Sequence, residues 1–199
     1  MTGTGGVHPI EAESQRILGQ RVDLGHLAPG VRAVVARVVH ATADLDFVAS
    51  LVLDEAAVTA GVAALRAHAP VLADVEMVRA GITGAGARCY LDRVGEQQAG
   101  PLTRSAAAMR LAADRHPEGA VVVVGCAPTA LAEVVRLAGE GRFRPALVVG
   151  LPVGFVGAAA AKAELRATGL PAISNLGEKG GSAAAAAVVN ALTRMAETA

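Results

Sequence analysis

Four consecutive valines, Val121-Val122-Val123-Val124, show no polar alternation. A strand with one face in water alternates apolar and polar side chains. An unbroken β-branched run therefore fits a strand covered on both faces, and such strands belong to parallel sheets. Ala146-Leu147-Val148-Val149 comes close to the same pattern. Short apolar runs at 70–75, 87–92, 120–125, 145–150 and 171–175 read as strands, and helical stretches follow at about 103–116, 128–139, 156–168 and 181–194. This alternation predicts an α/β fold, a three-layer sandwich around a mainly parallel sheet of about five strands. With 199 residues, 53% of them apolar, the chain reads as one domain, 1–199.

The N-terminal segment reads as helical. Pro9, Glu11 and Glu13 suit the first turn of a helix over 9–20. Val31, Val34, Val35, Val38 and Val39 form one apolar stripe at helical spacing, and His40 stands at its far end. Valines are poor helix formers, so packing must hold this helix. Asp54 can cap a third helix reaching about His68.

Several function classes fall away. Lys plus Arg equal Asp plus Glu at 18 each, so no global field draws the chain to nucleic acid or an anionic membrane. Four aromatics (Phe47, Tyr90, Phe143, Phe155) and no Trp give no base-stacking surface. Cys89 and Cys126 are read as too few for a disulfide scaffold or a four-ligand zinc site, and they fit a reducing compartment. Residues 1–7 lack the parts of a signal peptide, and the uncharged stretch from Pro145 to Ala161 is broken by Pro152 and glycines. The expectation is a soluble, cytoplasmic protein with no metal site.

In open α/β sheets, ligands bind beyond the carboxyl ends of the strands. Four segments occupy that position: 74–83 (DVEMVRAGIT), 125–131 (GCAPTAL), 150–157 (GLPVGFVG) and 175–182 (NLGEKGGS). The last three lead into helices, whose N-termini suit carboxylate or phosphate. Nucleotide fingerprints do not match. Gly81, Gly84 and Gly86 carry the Rossmann spacing reversed, and Lys179 precedes its glycines, whereas a Walker A lysine follows them. Tight αβ turns are the ordinary reading of these glycines. His40 reads either as a satisfied structural residue or, near a helix C-terminus with Asp44 and Asp46 close by, as a proton carrier. Arg104 and Lys162, each taken alone, read as solvated charges.

In sequence and spacing, the segments IEAESQRIL (10–18), RVVHATADLDF (37–47), PVLADVEMVRAGIT (70–83), LTRSAAAM (102–109), GCAPTAL (125–131), RPALVVGLPVGFVGAAAAK (144–162) and EKGGSAAAAAVVNAL (178–192) resemble the precorrin-8X methylmutase family of cobalamin biosynthesis. The resemblance covers Pro9 to Arg194. It implies an isomerase that moves a methyl group from carbon 11 to carbon 12 of precorrin-8X, giving hydrogenobyrinic acid. It also implies a homodimer, a tetrapyrrole substrate in metal-free or cobalt form, and no cofactor.

By position, the resemblance gives His40 the role of the acid that triggers a sigmatropic methyl shift. Ser14, Thr83 and Arg104 match substrate-contacting segments, with Arg104 suited to a peripheral carboxylate. Pro128, Thr129, Val153, Gly154, Phe155, Lys179, Gly180, Gly181 and Ser182 would cradle the macrocycle. The chain departs from the family pattern at Cys126, where Asn is expected, at Gln15, at Ala160-Ala161 and at Leu176-Gly177-Glu178. Two other readings stay open on the residues alone: a tetrapyrrole carrier without turnover, and an enzyme for another anionic ligand on the same scaffold.

Overall fold

A computed structural model describes residues 9–198, and the stretch 1–7 read above for a leader lies outside them. The chain opens with α1 (Pro9–Arg21), α2 (Pro29–Thr42) and the short α3 (Asp46–Ser50). Then follow β1 (Leu51–Val52), α4 (Glu55–Arg66), β2 (Val71–Ala73), α5 (Glu76–Gly81) and β3 (Arg88–Cys89). A 3-10 turn (Leu91–Arg93), α6 (Glu96–Ala99) and α7 (Arg104–Arg115) lead to β4 (Val121–Val124). The chain ends with α8 (Pro128–Gly139), β5 (Leu147–Gly150), α9 (Ala158–Ala167), β6 (Ala172–Asn175) and α10 (Ser182–Thr198).

The strands form one sheet in the order β1-β6-β5-β4-β2-β3. The five expected strands are parallel to one another. A sixth, β1, joins the edge antiparallel to β6, pairing Leu51 with Asn175. Its two residues are too short to leave a sequence signature. The 87–92 run pairs only at Arg88 and Cys89, because β3 is an edge strand with β2 as its one neighbour, and the chain coils at Leu91–Arg93.

Successive side chains of a strand point to opposite faces. Val121, Val123, Leu147, Val149 and Ile173 therefore pack with α2, α4, α5 and α10, while Val122, Val124 and Val148 pack with α7, α8 and α9. All four valines of β4 are fully buried, which explains the missing alternation. Each such side chain contributes about 1.5–3 kcal/mol on burial. The alanines Ala184–Ala187 of α10 are buried in the same cluster as the valine stripe of α2, and Ala185 and Ala186 lie close to Gly125 and Gly81. Asp54 caps α4 as expected, its Oδ1 accepting from Ala57 N at 2.7 Å.

Candidate active site

The antiparallel β1 brings the end of α2 to the carboxyl edge of the sheet. Leu176, just past β6, donates its N–H to the Ser50 carbonyl at 2.8 Å, so residues 43–50 stand beside the β6–α10 turn. His40 lies in the last turn of α2, half-buried. The helix stops immediately after it: Ala43 takes a left-handed conformation at φ 53° and its N–H returns to the Val39 carbonyl. The hydroxyl of Ser14 on α1 lies 2.7 Å from His40 Nδ1. Nε2 makes no hydrogen bond to a described residue. Asp44 and Asp46 do not serve His40. Both carboxylates accept from Lys179 Nζ, at 2.8 and 2.5 Å, which ties the end of α2 to the β6–α10 turn.

That turn is held from inside. Lys162, fully buried on α9, donates to Asn175 Oδ1 at 3.0 Å and to the Lys179 carbonyl at 2.7 Å. Asn175 Nδ2 donates to the Leu176 and Lys179 carbonyls. Burial is the main cause that pulls the Lys162 ammonium down to about 8, with neighbouring Arg166 acting in the same direction. Gly180 lies against the Leu151 and Pro152 carbonyls, where a Cβ has no room. Gly181 N donates to the Leu151 carbonyl and Gly154 N to the Glu178 carbonyl. The loops carrying Val153-Gly154-Phe155 and Lys179-Gly180-Gly181-Ser182 are thus stitched together. Phe155 and Val156 are 94% and 88% exposed and, with Val153 and Leu176, give these loops apolar side chains open to solvent.

The strand order reverses between β2 and β4, the position where open α/β sheets bind ligands. Here the protein fills it. Asp74 is 1% exposed, and its carboxylate accepts from Gly125, Cys126 and Ala127 N–H at 3.1, 2.9 and 2.8 Å. Burial pushes the Asp74 pKa up, and the three N–H groups oppose that shift. The anion seat ahead of α8 is therefore taken by the chain's own carboxylate, which disfavours a phosphate there. Pro128 opens α8, and the Thr129 hydroxyl lies 2.7 Å from that of Thr103, the cap of α7.

Two expected site residues are bound to partners other than His40. Arg104 spends Nε on the Val94 carbonyl and an Nη on the Leu91 carbonyl. Thr83 is tied to Asn190, with its N–H 3.0 Å from Oδ1. Asn190 lies on α10 about 12 Å beyond Ser182 at the helical rise. Neither thiol is a ready nucleophile: burial lifts Cys89 to about 11 and pushes Cys126 up as well. Among the described residues no group of three His, Cys, Asp or Glu could hold a metal.

The sequence model of the precorrin-8X methylmutase family matches residues 9–195. The chain belongs to this family. It is 37% identical to a cobalt-precorrin-8 methylmutase of Methanocaldococcus jannaschii, over 94% of this chain and 90% of that one. It is 38% identical to a precorrin-8X methylmutase of Pseudomonas aeruginosa, over 92% and 93%. A solved precorrin-8X methylmutase from Thermus thermophilus superposes with a TM-score of 0.86 at 38% identity, covering 94% of this chain and 95% of that one. The methylmutase family consists of isomerases of corrin biosynthesis that move a methyl group, and this chain is an enzyme of that kind. Among the described residues no helix is long and apolar enough to cross a membrane.

Proposed function

We propose that this methylmutase converts precorrin-8X to hydrogenobyrinic acid with His40 as the proton donor. The observation that carries this reading is the 2.7 Å contact between Ser14 Oγ and His40 Nδ1. It orients the ring and leaves Nε2 to exchange the proton. Protonation near ring C makes the framework electron-poor. The methyl bond to carbon 11 breaks as a bond to carbon 12 forms, and the proton is given back as the product's conjugation is established. Nothing is oxidised or reduced, so the chemistry needs no cofactor, metal or nucleophile. Holding the ring in a reactive geometry supplies the rest.

The loops 151–157 and 176–182 fit a support for the macrocycle and its carboxylates. Pro128 and Thr129 serve the same purpose from the adjacent turn. Thr83 and Arg104 are more distant contacts, for peripheral groups of the ring or across a homodimer. The whole chain acts as one domain in the cytoplasm, without nucleic acid or membrane as a partner.

The test follows the visible spectrum of metal-free precorrin-8X and of its cobalt form on mixing with the wild type and with His40→Ala. Relatives at 37–38% identity carry both substrate names, so both rings are offered. Turnover of either ring by the wild type, reduced about 10²–10⁴-fold in His40→Ala, supports the reading. Full activity in the variant removes His40 from the proton step. Tight binding without conversion of either ring makes the chain a carrier.

A further inference from the structure

The molecule treats its buried charges differently. Glu133, 4% exposed, meets Arg110 at 2.6 Å and Arg136 at 2.8 Å. Asp74 is met by three N–H groups. Lys162 is the only buried cation among the described residues, and no described carboxylate lies within ion-pair distance of it. Its two acceptors, Asn175 Oδ1 and the Lys179 carbonyl, are neutral. A buried ammonium without an opposite charge is costly, and an anion brought close recovers part of that cost.

The place where such an anion would sit follows from the packing. Lys162 reaches the inner side of the 175–182 turn. The turn continues through Gly180, Gly181 and Ser182, all half-buried, into the 17-residue α10. The Lys179 carbonyl that the ammonium binds is three residues before Ser182, so the ammonium and the positive end of that helix act on the same turn. We propose that Lys162 is a positioning residue for the methyl shift: it braces the 175–182 turn from beneath and makes that turn the seat of a carboxylate of the tetrapyrrole. Lys162 does not touch the ring, since it is fully buried. Its influence passes through the Lys179 carbonyl and through its charge. This inference rests on the methylmutase reading above.

The charged groups that act on Lys162 are Arg166, on its own helix, and Glu178, on the turn. Arg166 depresses its protonation and Glu178 supports it. The Lys179 ammonium is directed to Asp44 and Asp46. With its ammonium at about 8, Lys162 is charged at neutral pH and loses its charge above that value, so substrate binding should weaken there.

Steady-state kinetics on metal-free and cobalt precorrin-8X, from neutral to alkaline pH, test this with three proteins. The wild type should show KM rising as pH passes about 8. Lys162→Met keeps the volume and removes the charge. Its KM at neutral pH should be raised about tenfold or more, with kcat held to within about threefold and the alkaline rise gone. Glu178→Gln removes the charge that supports protonation, so its alkaline rise should begin at lower pH. An unchanged KM and pH profile in Lys162→Met overturns the proposal. If that variant does not fold, an alkaline rise that stays in place in Glu178→Gln overturns it instead. A wild type that turns over neither ring removes the methylmutase reading, and this inference with it. Turnover by the wild type with the variant unchanged removes this inference alone.

Discussion

Ser14 and His40, 26 residues apart in the chain, meet through one hydrogen bond of 2.7 Å between Oγ and Nδ1. The bond joins α1 to the last turn of α2 and leaves Nε2 without a partner among the described residues. Ser14→Ala frees the ring to turn and lets the tautomers mix. One such bond contributes about 0.5–1.5 kcal/mol, so kcat should fall by up to about tenfold. The melting temperature should stay near that of the wild type, because Ser14 is only half-buried. A stopped-flow trace of ring conversion checks the prediction. An unaltered kcat would show that the ring is oriented by something else.

Asp74 carries a different kind of load. Its carboxylate is the partner of three N–H groups ahead of α8. In Asp74→Ala all three lose their acceptor, and an unmet buried donor costs about 1–3 kcal/mol, in full at the buried Gly125 and only in part at the half-buried Ala127 and the exposed Cys126. The total should reach about 2–3 kcal/mol, read as a drop in the urea midpoint. Asp74→Asn keeps one acceptor oxygen but turns an NH2 toward a donor, so it should fall between the two. A wild-type midpoint in Asp74→Ala would mean that water replaces the carboxylate.

At Gly180 the constraint is space. A Cβ there meets the carbonyl oxygens of Leu151 and Pro152, and backbone atoms cannot swing aside as a side chain can. Gly180→Ala should push the 176–182 turn away from the 151–154 loop and break the Gly181 to Leu151 bond. A destabilisation of about 1–3 kcal/mol is expected, with a raised KM. Gly177→Ala is a contrasting control, since a Cβ there meets nothing, although its φ of 74° brings strain of its own. Equal KM values in the two variants would show that the turn tolerates displacement.

The layers of this fold were legible because burial writes itself into composition. The valines of β4 and the stripe of α2 have no polar residues to spare, and both lie where their patterns place them. The strand-end loops were legible from glycine and topology. The pairings within them were not. Nothing in the spacing of Ser14 and His40 announces a contact, and Asp44 and Asp46 look like partners of His40 until Lys179 is seen to hold both. Lys162 among alanines looks like a surface charge, because the sequence does not show that its helix face is covered by β6 and the turn beyond it. β1 was missed for its length alone.

Lys179 links the turn to the end of α2 by binding Asp44 and Asp46, and the pH dependence of that clasp follows from its ends. Hydrogen bonding to Lys179 holds the Asp44 carboxyl below its usual range. A lowered acid adds stability that is present above its unfolded pKa and is lost as pH falls through the folded one. The Asp44 and Asp46 carboxylates raise the Lys179 ammonium above its usual range. That contribution is present below the ordinary lysine range and is lost as pH rises through the folded value. The clasp is therefore strongest between the carboxylate and lysine ranges and fades at both ends. All three side chains are at least partly exposed, so salt should weaken it. Urea midpoints of wild type and Lys179→Ala should differ at neutral pH in low salt, and the gap should close in acid and in high salt. For activity, the paired variant Asp44→Asn with Asp46→Asn decides the role of Lys179. A loss of kcat matching that of Lys179→Ala marks a clasp acting on His40. A loss confined to Lys179→Ala, with lower KM in the paired variant, marks an ammonium that the two carboxylates withhold from the substrate.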